Sequence, residues 1–118
     1  MAGHIRILEE ALCVTGDGVG GGGLISGVAT AAKSVKPSVE VIGVQTERFP
    51  ALWNAMHGQH NDSAQATIAD GIAVKLPGAL TVPMIRERVA DVLLVGEDDI
   101  EQAILMLLEI EKTVVEGA

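Results

Sequence analysis

The feature that most constrains this sequence is a run of glycines that leads directly into an apolar helical pattern. Six of the nine residues from Thr15 to Gly23 are glycine, and so many glycines lose too much conformational entropy to form a regular element. We therefore predict a loop over residues 15–23. From Leu24 apolar residues recur every three or four positions and stop before Pro37, which predicts a helix over residues 24–35.

A glycine loop that opens into a helix is suited to binding an anion. Without side chains the backbone approaches an anion closely, and the free N–H groups and positive dipole end of the helix point at it. Gly20, Gly21, Gly22, Gly23 and Leu24 are therefore the candidate residues for binding a phosphate group or another small anionic ligand. The run has neither the spacing of a dinucleotide fingerprint nor the Gly-Lys-Ser/Thr ending of a nucleotide-binding P-loop.

The rest of the sequence alternates between helical patterns and short apolar runs. Residues 39–44 and 91–95 are runs of mostly β-branched or aliphatic residues, which predict buried strands. Helices are predicted over residues 4–14, 24–35, 49–57, 81–89 and 97–115, the last with a core face of Ile100, Ala103, Ile104, Leu107, Leu108, Val114 and Val115. This alternation predicts one α/β domain over residues 1–118, a small three-layer unit in which helices flank a short parallel sheet.

Composition excludes several classes of partner. The net charge of −8 comes without any cluster of lysine and arginine, so we expect no binding to nucleic acid. No apolar stretch is long enough to span a bilayer, so we expect no membrane partner. The lone Cys13 and the absence of a signal-peptide pattern predict a cytoplasmic protein.

Three segments carry a resemblance to a known family: GGGGLISG at 20–27, TIADGIAVK at 67–75 and VEGA at 115–118. With the sequence between them, they are similar to part of the large domain of the pyridoxal-phosphate (PLP) dependent catabolic threonine and serine dehydratases, which are fold type II enzymes. The resemblance covers residues 19–118. Residues 1–18 form a divergent segment in which the family's strand before the glycine loop is replaced.

The resemblance implies a cofactor, a reaction and a set of site residues. Gly20 to Gly23 would hold the PLP phosphate, Ala69 to Val74 would lie beside the cofactor, and Glu116 to Ala118 would lead toward the active site. The family reaction is an ammonia-lyase elimination from a hydroxy amino acid, with PLP as electron sink. The family's Ser-(Phe/Tyr)-Lys motif, which supplies the lysine that bonds the cofactor, is absent. The resemblance therefore implies an internal fragment, truncated at both ends, that has lost the lyase activity, and no catalytic residue is assigned.

Two other functions stay open. His57, His60 and Asp62 carry imidazole and carboxylate groups at a spacing that suits a divalent metal, so a hydrolase or metal-dependent enzyme with its site at loop 57–62, or at a subunit interface, is one alternative. A polar loop with incidental histidines is the simpler interpretation. The other alternative is a non-enzymatic structural module. In each case a fragment exposes faces that its relatives bury, so we expect a homo-oligomer, in the simplest form a dimer.

Overall fold

The computed structural model of the chain describes residues 4–5 and 14–118. Its strands are β1 (His4–Ile5), β2 (Val14–Gly18), β3 (Glu40–Thr46) and β4 (Asp91–Val95). Its helices are α1 (Gly23–Val35), α2 (Ala51–His57), α3 (Thr81–Arg88) and α4 (Glu97–Glu109), with a short 3₁₀ turn at Asp70–Ile72. In this part of the chain no helix is long and apolar enough to cross a membrane.

The four strands form one sheet in the order β1-β2-β3-β4. Strands β2, β3 and β4 run parallel, and β1 pairs antiparallel with β2 at one edge. Parallel neighbours need a crossover between them. Helix α1 makes the crossover from β2 to β3, and α2 with α3 makes the one from β3 to β4. The predicted parallel sheet flanked by helices is confirmed.

The hydrophobic core lies on one face of this sheet. Successive strand residues point to opposite faces, and in β3 the residues Val41, Gly43 and Gln45 are buried. The core is completed by Val19, Ile25, Ala29, Ala32, Val39, Leu52, Ile85, Val89 and Val92, so it joins β3 and β4 to α1, α2 and α3. On the opposite face Val44 and Val95 line a cavity of about 230 Å³ together with Ile100 and Ile104 of α4. Helix α4 therefore forms the third layer.

The N-terminal predictions were wrong where the structure describes them. His4–Ile5 is a strand and not the start of a helix, and Val14–Gly18 is a strand inside the predicted loop. Strand pairing uses backbone groups, so pairing with β3 along the whole of β2 overrides the weak strand preference of its glycines. The strand before the glycine loop is thus present despite its divergent sequence. The remainder of the predicted first helix, with Cys13, lies outside the described residues.

Helix α4 is shorter and more exposed than predicted. It ends at Glu109 rather than at residue 115, and Lys112 takes a left-handed φ of 54° beyond it. None of its residues is buried, and Leu107 and Leu108 of the predicted core face are 38% and 46% exposed. The pattern alone predicted a covered face, but in the described part of the chain nothing packs against the outer side of this helix.

The close packing of the sheet at Gly43 predicts opposite effects for two glycine substitutions. A methyl group at Gly43 would lie 2.8 Å from Val19 Cγ2, 2.9 Å from Ile25 Cδ1 and 3.1 Å from Val92 Cγ2, so we expect Gly43→Ala to lower the free energy of unfolding by about 1–3 kcal/mol. Gly27, in α1, has no atom within 4 Å of that position, and Gly27→Ala should raise stability by about 0.5–1 kcal/mol through helix propensity. Urea denaturation of both variants tests this, and equal effects would contradict it.

Candidate phosphate-binding site

The glycine loop reaches helix α1 through a left-handed residue. Gly22 is the N-cap of α1 with a φ of 97°, a conformation that side chains other than glycine rarely adopt. A methyl group there would also lie 2.6 Å from Ile85 Cδ1 and 2.9 Å from Thr81 Oγ1. Gly21 and Gly23 have no atom within 4 Å of the same position. The loop is therefore packed against α3 at Gly22 and open at Gly21 and Gly23.

The N–H groups at the start of α1 are free to bind a ligand. The first one that donates within the described part of the chain is that of Ser26, which donates to Gly22 O at 3.0 Å. The buried Ser26 hydroxyl donates to the same oxygen at 2.6 Å. The N–H groups from Gly20 to Leu24 have no acceptor among the described residues. Four unsatisfied N–H groups begin every helix, and here they adjoin a loop without side chains.

The carbonyl groups of the loop are, in contrast, held by hydrogen bonds. Gly21 O accepts from the Thr81 hydroxyl at 2.8 Å and from Gly78 N–H at 3.1 Å. The Gln45 amide nitrogen lies 3.3 Å from Val19 O and 3.5 Å from Gly20 O. The other end of this fully buried side chain accepts from the backbone N–H of Trp53 at 2.9 Å. Thr81 and Gln45 thus fix the loop from behind.

Neither residue was singled out from the sequence as part of the site. Gln45 carried one usable signal: it follows Val41 and Gly43 at the two-residue spacing of the core face of β3, and a polar residue on such a face needs a hydrogen-bond partner. Thr81 carried a misleading one, because a threonine before a helical pattern predicts a cap. In the structure the N-cap is Leu80, and the Thr81 hydroxyl reaches across to the loop.

The segment from Ala69 to Val74 lies against the loop on one side and against the C-terminal residues on the other. A methyl group at Gly20 would be 3.2 Å from Val74 Cγ2 and 3.3 Å from Ile72 Cα. One at Gly71 would be 3.1 Å from Ala118 Cβ, and one at Gly117 would overlap the carbonyl of Ile68. The three segments 20–27, 67–75 and 115–118 therefore meet at one place.

Comparison with known proteins agrees with this arrangement. A family model described as "Pyridoxal-phosphate dependent enzyme" matches residues 16–118. The chain belongs to this PLP-dependent enzyme family. An L-threonine ammonia-lyase of Thermotoga maritima is 49% identical over 102 residues, which are 85% of this chain and 25% of that protein. A catabolic L-threonine dehydratase of Escherichia coli K12 is 42% identical over 102 residues, 85% of this chain and 31% of that protein.

Solved structures of the PLP-dependent family match equally well. A threonine deaminase whose source is given as T.th. has a TM-score of 0.80 at 36% identity, covering 88% of this chain and 39% of that one. A serine racemase from Dictyostelium discoideum has a TM-score of 0.78 at 34% identity, covering 92% and 34%. These matches confirm the predicted resemblance and the fold class of fold type II PLP enzymes. The chain spans between about a quarter and a third of the length of the curated relatives named above.

A carboxylate anchors the family's ADGIAV region to helix α4. Glu97, the first residue of α4, accepts hydrogen bonds from Ile68 N–H at 2.7 Å, from the Thr67 hydroxyl and from the Thr46 hydroxyl at 3.3 Å. The Arg48 guanidinium lies 3.8 Å away. Burial alone would raise the pKa of Glu97, but these hydrogen bonds and the nearby Arg48 outweigh it and hold the pKa below its ordinary value. From the sequence Glu97 was only one of several acids at a helix start.

None of the chain's four lysines lies at the glycine loop. The Lys33 ammonium donates to Val39 O at 2.8 Å, and that of Lys112 to Glu109 O at 2.5 Å. Lys36 is the C-cap of α1, the opposite end from the loop. Lys75 follows Val74 but is exposed and lines a surface groove with Asn54, His60 and Arg86. The structure therefore offers no lysine beside the candidate phosphate-binding residues.

The alternative metal site is not assembled by the described residues. His57 stacks on Trp53 with ring centroids 4.4 Å apart, and its Nε2 lies 3.3 Å from Asp91 Oδ1. His60 and Asp62 instead line the surface groove beside Lys75. Across residues 4–5 and 14–118 no group of three or more histidine, cysteine or acidic side chains is placed to hold a metal ion.

The hydrogen bonds of Glu97 predict that it stabilises the fold in a pH-dependent way. Its folded-state pKa is lowered from the ordinary value of 4.5, so the ionised group stabilises the fold above that value, and the contribution is lost as pH falls through the folded-state pKa. We expect Glu97→Gln to cost about 1.5 kcal/mol at neutral pH and progressively less in acid. Unfolding free energies at a series of pH values, with the exposed Asp98→Asn as control, test this. A cost that does not change from about pH 7 to pH 3 would contradict it.

Proposed function

We propose that this chain binds the phosphate group of PLP through the backbone N–H groups of Gly20, Gly21, Gly22, Gly23 and Leu24. The observation that carries the proposal is the division of the loop's backbone: its carbonyls accept from Thr81, Gly78 and Gln45, while its N–H groups have no acceptor among the described residues. These donors stand at the start of a 13-residue helix, whose dipole favours an anion. Family membership supports PLP as the source of the phosphate.

The residues present fit a phosphate group. Open space over Gly21 and Gly23 leaves room for an anion, and the left-handed Gly22 turns the chain so that the loop adjoins the helix start. When bound, PLP supplies an electron sink for reactions at the α-carbon of an amino acid. The part assigned to this chain is to hold the phosphate with neutral donors and to enclose it on one side with Ile72 and Val74.

We further propose that the 118-residue chain does not release ammonia from threonine or serine on its own. The positions of its lysines support this, because the chemistry needs a lysine held against the cofactor, and Lys33, Lys36, Lys75 and Lys112 are all directed elsewhere. In a protein that supplies such a lysine, the same loop would serve a threonine or serine ammonia-lyase. The names of the Thermotoga and Escherichia relatives support that substrate class.

Amide NMR tests phosphate binding directly. Adding PLP or inorganic phosphate to the ¹⁵N-labelled chain should shift the amide signals of residues 20–24 first and most strongly. Pyridoxal, which lacks the phosphate, should leave these signals unchanged, so it separates phosphate recognition from ring or aldehyde binding. If the loop amides respond to none of these compounds, the proposal is wrong and the non-enzymatic structural module becomes the better interpretation.

Two variants of Thr81 serve as a matched pair in the same titration. Thr81→Val removes the hydroxyl that holds Gly21 O and should lower both stability, by about 1 kcal/mol, and phosphate affinity. Thr81→Ser keeps the hydroxyl and should bind phosphate nearly as the unchanged chain does. Equal affinity in the valine and serine variants would show that the loop does not need this contact.

Self-association stays a prediction, and we propose helix α4 as the surface that carries it. Leu105, Met106, Leu108 and Ile110 are 49%, 58%, 46% and 66% exposed, and a contiguous apolar surface of this kind favours association. We expect a dimer mass by light scattering and a shift toward monomer in Met106→Glu. A monomer at all accessible concentrations would contradict this proposal without touching phosphate binding.

A further inference from the structure

We propose that Glu97 is a positioning residue for the phosphate-binding loop: by holding residues 67–69 it fixes the segment that packs against Gly20, and anion affinity depends on it. The inference rests on the proposed function, because the affinity in question is that of the glycine loop. Glu97 itself does not touch the loop. Its effect passes through the chain between Thr67 and Val74.

The first step is the set of contacts at the carboxylate. One oxygen of Glu97 accepts from the Thr67 and Thr46 hydroxyls, and the other accepts from Ile68 N–H at 2.7 Å. Thr46 is the last residue of β3 and is fully buried, so the carboxylate ties residues 67 and 68 to the rigid end of the sheet. Residues 67–69 have no regular secondary structure of their own.

The second step leads from Glu97 toward the loop through short-range hydrogen bonds. Ala69 is fully buried, and its N–H donates to the Thr67 hydroxyl at 3.1 Å. Its carbonyl accepts from Ile72 N–H at 3.1 Å, and Asp70 O accepts from Ala73 N–H at 3.1 Å. The chain from residue 67 to residue 73 is therefore one hydrogen-bonded unit, and a shift at its Glu97 end moves the other end as well.

The third step is the contact between this unit and the loop. Ile72 and Val74 leave no room for a methyl group at Gly20, since both would lie within 3.3 Å of it. Gly20 N–H is one of the proposed donors to the phosphate. Because the loop has no side chains of its own to hold its shape, its geometry depends on neighbours such as Ile72, Thr81 and Gln45. Glu97 controls the first of these.

The negative charge of Glu97 matters for a reason of valence as well as of Coulomb attraction. A carboxylate has acceptors on both oxygens, whereas a glutamine side chain has one acceptor oxygen and an NH₂ group with two donors. In Glu97→Gln one side of the group must therefore face a donor, Ile68 N–H or the hydroxyls, with another donor. The variant also loses its attraction to Arg48, 3.8 Å away. Either loss frees residues 67–69.

The experiment compares Glu97→Gln with Asp98→Asn, which removes one negative charge from the same first turn of α4. Inorganic phosphate is titrated into each full-length chain and followed by amide NMR. We expect Glu97→Gln to bind phosphate about tenfold more weakly, the loss typical when a supporting hydrogen bond behind a binding group is removed, and Asp98→Asn to bind as the unchanged chain does. Equal affinities in the two variants would overturn the inference.

A second pair guards against a Glu97 variant that fails to fold. Thr67→Val removes one donor to Glu97 and the acceptor for Ala69 N–H, and Thr67→Ser restores both. We expect weaker phosphate binding in the valine variant and recovery in the serine variant. Loss of stability in Thr67→Val without any change in phosphate affinity would assign these contacts a purely structural role and overturn the inference.

Hydrogen exchange separates this inference from the proposed function. In the absence of ligand, Glu97→Gln should speed exchange at the amides of Ile72 and Ala73 and shift the NMR signals of residues 20–22, and Asp98→Asn should do neither. If the unchanged chain does not bind phosphate, the proposed function fails, and the inference about affinity fails with it even where exchange responds. If phosphate binds and the Glu97 variant alters neither exchange nor affinity, only the inference is wrong.

Discussion

The site depends on which side of each peptide unit in the glycine run faces the protein. Carbonyl oxygens face inward, where Thr81, Gly78 and Gln45 donate to them, and the amide hydrogens are left without acceptors in the described structure. Gly22 makes this possible, because its positive φ turns the chain into α1 and its missing side chain leaves room for Ile85 and Thr81. A glycine loop without these inward contacts would be a flexible connector.

The parallel sheet explains why distant segments meet at this loop. The glycine run follows the carboxyl end of β2, Gln45 and Thr46 close β3, and Glu97 comes two residues after β4. In parallel sheets these ends lie along one edge, where ligands of α/β proteins bind. Residues 67–74 cross the same edge between Glu97 and Gly20. The site is therefore a product of topology, supported by residues that are remote from one another in sequence.

The sequence predicted the local parts of this arrangement and not its long-range contacts. The strand at Asp91–Val95 and the helix after the glycines were recognisable because each is set by periodicity within a few residues. Strand β2 was missed, since its glycines gain their conformation from pairing with β3. Glu97 and Thr81 were read as ordinary helix-start residues, because their partners lie 29 or more positions away along the chain. Helix α4 was extended too far by an apolar pattern that nothing in the described structure covers.

A binding loop made only of peptide groups has a consequence for how it responds to acidity. Backbone amides neither gain nor lose a proton in the range in which proteins are folded, so the loop presents the same donors throughout. A phosphate monoester, in contrast, takes up its second proton near neutrality. The ionisation of the guest rather than that of its immediate hosts would then govern how occupancy varies with acidity, and the protein would add its own dependence only from a distance.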